Sequence, residues 1–345
     1  MICGRSKILL AAKTSKNSNV SQRFKQRRKP TSMARYLKDE PTGSVCVKRA
    51  LGGIGDVLMC TPALKELKLR FPNCHLAFAV NMHQVHDNRY YELVKNLDFI
   101  DEVIDSRYVD RSQYGFVSDI TSVCIGYENK GLPPMNRIDL FARHLGFPNL
   151  ADPLPSYLVT TKERKHARRI LKNKLNDCSI IIALHTASNE GKRCWPIKKY
   201  EPLIKRLIRL VPGVGFVVFD HNNRLPIWSR YSNVVDASNA SVRGMAALIE
   251  QADLFIGPDS GPMHCAGAVR TKALVLFGSI PPEARINYYP THTAITANIP
   301  CLGCWYKPCP HSVVCMTGIT TEMVASKVER LLSPQGTPSS TTKKD

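Results

Sequence analysis

Residues 44–56 read Ser-Val-Cys-Val-Lys-Arg-Ala-Leu-Gly-Gly-Ile-Gly-Asp. The first part of this stretch is apolar enough for a buried strand, and the glycines that follow allow a tight turn into a helix. We predict a strand at 44–50 and a helix from about residue 58 to residue 70, which Pro72 and Asn73 end. A strand, a glycine-rich turn and a helix form the opening unit of a parallel α/β sheet.

The same alternation continues along the chain and restarts once. Further strands are predicted at 75–80, 102–105 and 115–120, and then, after a proline-rich stretch at 148–160, at 179–185, 214–220, 233–236, 254–257 and 273–277. The pattern predicts an α/β fold with two Rossmann-like doubly wound domains, one over 44–160 and one over 161–332. In such sheets ligands bind outside the carboxyl ends of the strands, so a cleft between the two halves is the expected active site.

The chain is strongly basic, with a formal net charge of +20. Residues 1–38 contain eleven Lys or Arg and no Asp or Glu, and we predict disordered tails at 1–43 and 333–345. An organelle transit peptide, a nucleic-acid-binding arm, or a true start at Met33 are alternatives for the first tail. The overall charge favours an acidic partner such as nucleic acid, a phosphorylated glycolipid or a nucleotide-bearing donor.

Apolar stretches such as 179–184 and 214–219 fall far short of the ~20 residues that cross a bilayer. The sequence therefore predicts a soluble or peripheral protein. Of the twelve cysteines, eight are scattered, and several lie in apolar contexts where a thiol behaves as a small hydrophobe. Scattered thiols indicate a reducing compartment. We expect a cytoplasmic protein, with peripheral contact to the inner face of a membrane as a further option.

The first turn, with Gly52, Gly53 and Gly55, places Asp56 directly after a flexible segment. A dinucleotide site is disfavoured because Leu58 stands where the third glycine of that fingerprint belongs, and no acid ends the second strand to hold a ribose. A carboxylate at a strand's carboxyl end can act as a general base toward an acceptor hydroxyl. Alternatively, Asp56 only caps the following helix.

The second motif is Gly-Pro-Asp-Ser-Gly-Pro-Met-His at 257–264, between a strand and the helix that it feeds. Backbone amides at a helix N-terminus form an anion site that suits a diphosphate. Ser260, Gly261 and His264 are candidate donors to it, and Asp259 can accept hydrogen bonds from sugar hydroxyls. The alternative is a helix capped by Asp259 or Ser260, with His264 packed in its first turn.

The third motif is Lys192-Arg193, in a polar loop after the strand at 179–185. A cation here would offset a donor diphosphate and stabilise it as a leaving group. A solvated charge pair is the alternative in so basic a protein.

The fourth motif contains four cysteines, Cys301, Cys304, Cys309 and Cys315, with His311 among them. Four thiols within fifteen residues can bind structural Zn²⁺ or an iron–sulfur cluster, but their spacing is not that of ordinary zinc ribbons. Free buried thiols or a disulfide pair are the alternatives.

Together these blocks resemble glycosyltransferase family 9, the heptosyltransferases. The similarity covers roughly residues 45–332, and its most specific parts are 51–62, Lys-Arg-x-Trp-Pro at 192–196, 258–264 with Leu-Phe-Gly at 276–278, and the late cysteines. The resemblance implies a GT-B fold, with an N-terminal acceptor domain and a C-terminal domain that binds the nucleotide sugar. It also implies inverting transfer from a nucleotide-sugar donor such as ADP-heptose to an acidic or phosphorylated glycan of the lipopolysaccharide type.

Carried over position by position, the resemblance makes Asp56 the catalytic base and Arg193 the phosphate-binding cation. It places Asp259 at the donor sugar, and Gly261 and His264 at the diphosphate. Cys194 stands where the family usually has a basic residue, so the choice between Lys192 and Arg193 stays open. No cofactor is expected to be required for catalysis. The alternatives are a glycosyltransferase that acts on nucleic acid and a non-catalytic binding protein with the same fold.

Overall fold

The computed structural model describes residues 31–82, 88–130, 132, 134–221, 230–304 and 309–333. The chain forms the two parallel sheets that the sequence predicts, one from each half. None of the helices in these ranges is long and apolar enough to cross a membrane.

The first half is built on a four-stranded parallel sheet in the order β3-β2-β1-β4. Its strands are β1 (Ser44–Arg49), β2 (His75–Val80), β3 (Glu102–Asp105) and β4 (Phe116–Asp119). Its helices are α1 (Met33–Asp39), α2 (Ile54–Arg70), α3 (Arg89–Val94), α4 (Val123–Glu128) and α5 (Arg137–Leu145). The strand order reverses between β1 and β4, and a crevice for ligands opens at such a switch point.

The second half contains a six-stranded parallel sheet in the order β10-β9-β8-β5-β6-β7. Its strands are β5 (Ile180–His185), β6 (Val214–Phe219), β7 (Val234–Asp236), β8 (Leu254–Pro258), β9 (Ala273–Phe277) and β10 (His292–Thr296). Its helices are α6 (Thr161–Leu175), α7 (Tyr200–Leu210), α8 (Val242–Glu250), α9 (Gly261–Ala268), α10 (Glu283–Ile286), α11 (Val314–Thr317) and α12 (Thr321–Leu332). Here the order reverses between β5 and β8.

The strands of the larger sheet are mostly apolar, because both faces of a parallel sheet are covered by helices. Every residue of β6 and of β9 is buried. One hydrophobic core joins the two halves, since it includes Val57 and Leu58 of α2 together with Met263 of α9. A second core lies on the opposite face of the larger sheet, around Trp195 and Tyr200.

Two predictions about element boundaries are wrong. Helix α2 begins at Ile54, four residues before the predicted start, because the glycines lead directly into helical backbone. The predicted basic tail at 1–43 also contains α1, in which Met33 and Leu37 are fully buried. The apolar residues of α1 recur at helical spacing, and they pack on the core although the surrounding stretch is basic. Residues 1–30 and 334–345 lie outside the described ranges, so the predicted tails stay predictions there.

We predict that Leu37→Ala lowers the free energy of unfolding by about 2–5 kcal/mol, because it leaves a cavity under α1. Urea denaturation measures the change. The matched control is Lys38→Ala, at an exposed position of the same helix, which should change stability by less than about 0.5 kcal/mol. Equal effects of the two variants would show that α1 is not part of the core.

Candidate active site

The glycine-rich turns after β1 and β8 lie against each other across the two halves. A β-carbon at Gly55 would come within 2.3 Å of Cδ2 of His264, and one at Gly261 would come within 2.9 Å of Cβ of Ile54. Only glycine permits so close an approach at both positions. Gly52 has φ +117°, in the left-handed region that favours glycine. The switch points of the two sheets, between β1 and β4 and between β5 and β8, therefore face the same cleft.

Asp56 lies in the first turn of α2, and its carboxylate has three partners. Oδ2 accepts a hydrogen bond from the backbone N–H of Gly53 at 2.9 Å. Oδ1 accepts one from Nη1 of Arg137 at 2.6 Å and lies 3.4 Å from Nη2 of Arg49. The helix-cap interpretation of Asp56 thus describes one of its contacts, and the buried ion pairs are additional.

The two arginines decide the charge of Asp56. Burial acts to raise the pKa of its carboxyl group, but the charges of Arg137 and Arg49 outweigh that effect and lower the pKa to about 2. Because this pKa lies below the ordinary value of 3.8, the ion pairs stabilise the fold above about pH 4. That contribution is lost as the pH falls toward 2. At neutral pH the carboxylate is ionised and can accept a proton.

Both arginines are held in place by further contacts. Nη1 of Arg49 donates to the backbone carbonyls of Ile120 and Thr121 at 2.9 and 2.5 Å, which ties the end of β1 to the end of β4. Nη2 of Arg137 donates to Glu128 at 2.9 Å. Asp56 therefore has a fixed position as well as a fixed charge.

On the other side of the cleft, Asp259 is almost completely buried between two arginines. Nη1 of Arg193 donates to its Oδ2 at 3.0 Å, and Nε of Arg285 lies 3.6 Å from the same atom. Burial acts to raise the pKa of Asp259, but the charges of Arg285 and Arg193 lower it below its ordinary value. Lys192 instead lies 3.8 Å from Glu190. The geometry thus puts Arg193, rather than Lys192, at Asp259.

Helix α9 begins without a side-chain cap. Ser260 occupies the N-cap position, but its side chain makes no capping hydrogen bond. Its hydroxyl instead lies 3.1 Å from the carbonyl oxygen of Pro258 and 3.2 Å from Nδ1 of His185. The predicted alternative, in which Ser260 caps the helix through its side chain, is therefore wrong. The first amides of α9 keep the capacity to bind an anion.

His264 is buried in the first turns of α9, where Nδ1 lies 2.7 Å from the hydroxyl oxygen of Tyr289. Burial lowers the pKa of His264 to about 3, although the charge of Asp259 acts in the opposite direction. The imidazole is therefore neutral at physiological pH.

Three cysteines of the late cluster, Cys301, Cys304 and Cys309, lie close enough to Cys315 to act on its thiol electrostatically. Cys315 is buried, and burial together with the neighbouring Cys309, Cys304 and Cys301 raises the pKa of its thiol. Within the described ranges, which omit 305–308, no group of three or more His, Cys, Asp or Glu residues is arranged to hold a metal ion. The metal site therefore stays a prediction.

Sequence reasoning missed the buried partners of the two carboxylates. Arg49 carried a usable signal, because it is a charged residue at the end of the predicted strand, just before the glycine-rich turn. Arg137, Arg285 and Tyr289 lie in segments where no element was predicted, and only the topology brings them to the cleft.

A family model, Glycosyltransferase family 9 (heptosyltransferase), matches residues 135–314, just over half of the 345-residue chain. The chain belongs to glycosyltransferase family 9. Lipopolysaccharide heptosyltransferase 1 of Campylobacter coli is 23% identical over 223 residues, which cover 57% of this chain and 64% of that protein. The match thus spans less than two thirds of that relative.

Solved structures of family members share the architecture. A glycosyl transferase family 9 protein from Veillonella parvula superposes with a TM-score of 0.65 at 17% identity, over 84% of this chain and 97% of that one. The ADP-heptose lps heptosyltransferase II of E. coli gives a TM-score of 0.62 at 16% identity, over 84% of this chain and 98% of that one. These similarities confirm the GT-B fold that the sequence predicts for this family 9 chain.

The contact between the two turns gives a stability prediction for this family 9 chain. In Gly55→Ala the new methyl group would overlap the buried ring of His264, so we expect the free energy of unfolding to fall by about 1–3 kcal/mol. Thermal or urea unfolding measures it. Gly126 lies in α4 with open space around it. Gly126→Ala should therefore raise the free energy of unfolding by about 0.5–1 kcal/mol. A similar gain for Gly55→Ala would contradict the close approach of the two turns.

Proposed function

We propose that this chain is an inverting glycosyltransferase that moves a heptose or similar sugar from a nucleotide-diphosphate donor to an acceptor hydroxyl. The observation that carries the proposal is the meeting of the two turns. One presents an ionised carboxylate, Asp56, and the other presents the uncapped amide end of α9 beside Arg193. A base and an anion site that face each other across a cleft are what direct displacement at a sugar requires.

Asp56 is the proposed general base. It would take the proton of the acceptor hydroxyl while that oxygen forms a bond to the anomeric carbon, from the face opposite the departing diphosphate. A carboxylate with a pKa of about 2 is a weak base toward a free alcohol. The hydroxyl proton becomes strongly acidic once the new carbon–oxygen bond has largely formed, so a weak base suffices if proton transfer comes late.

The leaving diphosphate is proposed to bind at the amides that begin with Gly261. The bond between the anomeric carbon and the phosphate oxygen breaks, and its electron pair leaves with the diphosphate. Arg193 is the proposed cation next to the diphosphate. Lys192 and Arg285 are proposed to add positive charge from their places near Glu190 and Asp259. The buried Nε atom of Arg193 lacks a hydrogen-bond partner among the described residues, which favours an anionic ligand here. These cations can stabilise the leaving group without a metal ion.

Asp259 is proposed to accept hydrogen bonds from hydroxyl groups of the donor sugar. Its two arginine contacts use Oδ2, so Oδ1 is the oxygen that we assign to the sugar. Ser260 is the proposed hydroxyl neighbour of the diphosphate.

The proposed acceptor and location rest on the named relative and on the charge of the chain. The curated relative is named for lipopolysaccharide, and we propose a glycan acceptor of that type, with ADP-heptose as the first donor to test. Such an acceptor would place the protein in the cytoplasm at the inner face of a membrane. The acidic groups of such a glycan would suit a chain whose net charge is +20.

We predict that Asp56→Asn lowers turnover by roughly 10²–10⁴-fold while the affinity for the donor stays near the wild-type value. Asn keeps an oxygen that can accept the hydrogen bond from the backbone N–H of Gly53, but it leaves two buried arginines without their counter-charge. The control is therefore Arg137→Gln, which breaks the same ion pair and keeps the carboxylate. It should retain most of the turnover and raise the pKa of Asp56 toward 3.8, so the acid limb of kcat/KM moves to higher pH.

Thermal-shift titration with ADP-, GDP- and UDP-sugars measures donor binding, because a ligand at 100 times its Kd raises the free energy of unfolding by about 2.7 kcal/mol. Asp259→Asn should weaken that binding, which Asp56→Asn should not. Equal losses of turnover in Asp56→Asn and Arg137→Gln, with no change in the pH profile, would mean that Asp56 has only a structural role.

A further inference from the structure

Behind the proposed diphosphate site, His264 and Tyr289 form a buried pair. The hydroxyl oxygen of Tyr289 lies 2.7 Å from Nδ1 of His264. The two rings meet edge to face, with centroids 5.7 Å apart and planes 77° apart. Each residue is only 3% exposed. The mechanism proposed above uses His264 but gives Tyr289 no role.

The protonation of this pair follows from its surroundings. Burial lowers the pKa of His264 to about 3 and raises that of Tyr289 well above its ordinary value. At neutral pH the imidazole therefore carries one N–H and the phenol keeps its proton. In the described part of the chain, the hydrogen bond to His264 is the one that the Tyr289 hydroxyl makes. If the phenol donates to Nδ1, the single imidazole proton lies on Nε2.

The opposite tautomer is disfavoured. With the proton on Nδ1, the imidazole would donate to the phenol oxygen, and the buried phenol proton would need another acceptor. The described residues supply none, and a buried donor without a partner is costly. The Nε2–H tautomer gives the phenol proton its acceptor on Nδ1 and leaves the Nε2–H as the donor that an anionic ligand can accept.

The second ring nitrogen, Nε2, lies beside the first glycine-rich turn. A β-carbon at Gly55 would come within 3.0 Å of Nε2, so this atom lies at the junction of the two turns, one residue from Asp56. His264 is also in the first turns of α9, where the helix dipole favours a neutral donor over an imidazolium ion. A neutral N–H can bind an anion there without a change of charge.

We propose that Tyr289 is a positioning residue that holds His264 as the Nε2–H tautomer, so that the imidazole donates a hydrogen bond to a phosphoryl oxygen of the donor's diphosphate. The inference rests on the proposed function for the identity of the ligand. The tautomer itself is a property of the free protein, so it can be tested separately.

The direct test is ¹⁵N NMR of the full chain labelled at histidine, with His264→Gln used to assign the resonances. We expect His264 to show a protonated Nε2 and an unprotonated, hydrogen-bonded Nδ1. Inorganic pyrophosphate should shift the Nε2 resonance. A proton on Nδ1 in the wild-type protein, or no response of Nε2 to pyrophosphate, would overturn the proposal without any variant.

Tyr289→Phe removes the hydroxyl and keeps the ring. We expect a mixture of His264 tautomers and a pyrophosphate affinity about 5- to 100-fold weaker, because a bare Nε2 lone pair would face the anion in part of the population. The matched control is Tyr288→Phe, which removes a neighbouring hydroxyl bonded to Asp139 at 2.6 Å. That control should leave the His264 tautomer unchanged and the pyrophosphate affinity within about twofold of the wild-type value.

Unchanged tautomer and affinity in Tyr289→Phe would overturn the role of Tyr289. If the tautomer and the pyrophosphate response are as expected but no nucleotide sugar is used, the proposed function fails and the anion-binding arrangement stands. The two failures are thereby distinguishable.

Discussion

The structure depends most on one buried carboxylate, Asp56, shared between Arg49 and Arg137. Its backbone contact fixes the first turn of α2, and its two ion pairs bring the ends of β1 and β4 and the start of α5 to one point. Removal of one partner of a buried ion pair usually costs about 3–5 kcal/mol, because it leaves an uncompensated charge in the interior. The same contacts keep the carboxylate ionised, so the feature that holds the first half together also sets its chemistry.

The second constraint is the small space between the two turns. Gly55 leaves room for the ring of His264, and Gly261 leaves room for the side chain of Ile54. A larger residue at either glycine would push the two turns apart. Close contact brings Asp56 and the start of α9 within reach of one sugar. In the proposed function, stability and catalysis therefore depend on the same glycines.

Much of this arrangement could be predicted from the sequence. The alternation of apolar strands and helices predicts both parallel sheets, and polar residues after strand ends make Asp56, Asp259 and the pair Lys192-Arg193 candidates for the site. The partners of the two carboxylates were missed, because a buried charge takes its partner from the topology. Arg137 is 81 residues from Asp56 along the chain, and no local pattern relates them. Helix α1 was missed because a count of charges over 1–38 concealed a short apolar face, whereas the metal site at the cysteine cluster remains a prediction.

The central claim is that a base in one half and an anion site in the other act on opposite faces of the same sugar. The configuration of the transferred sugar at its anomeric carbon tests this most directly. The one-bond carbon–proton coupling at that carbon, measured by NMR on donor and on purified product, distinguishes the two anomers. Inversion is expected, because the proposed base, Asp56, and the proposed diphosphate site at the start of α9 belong to different halves of the chain. Retention of configuration would contradict it, since it would require a second displacement or attack from the face of the leaving group.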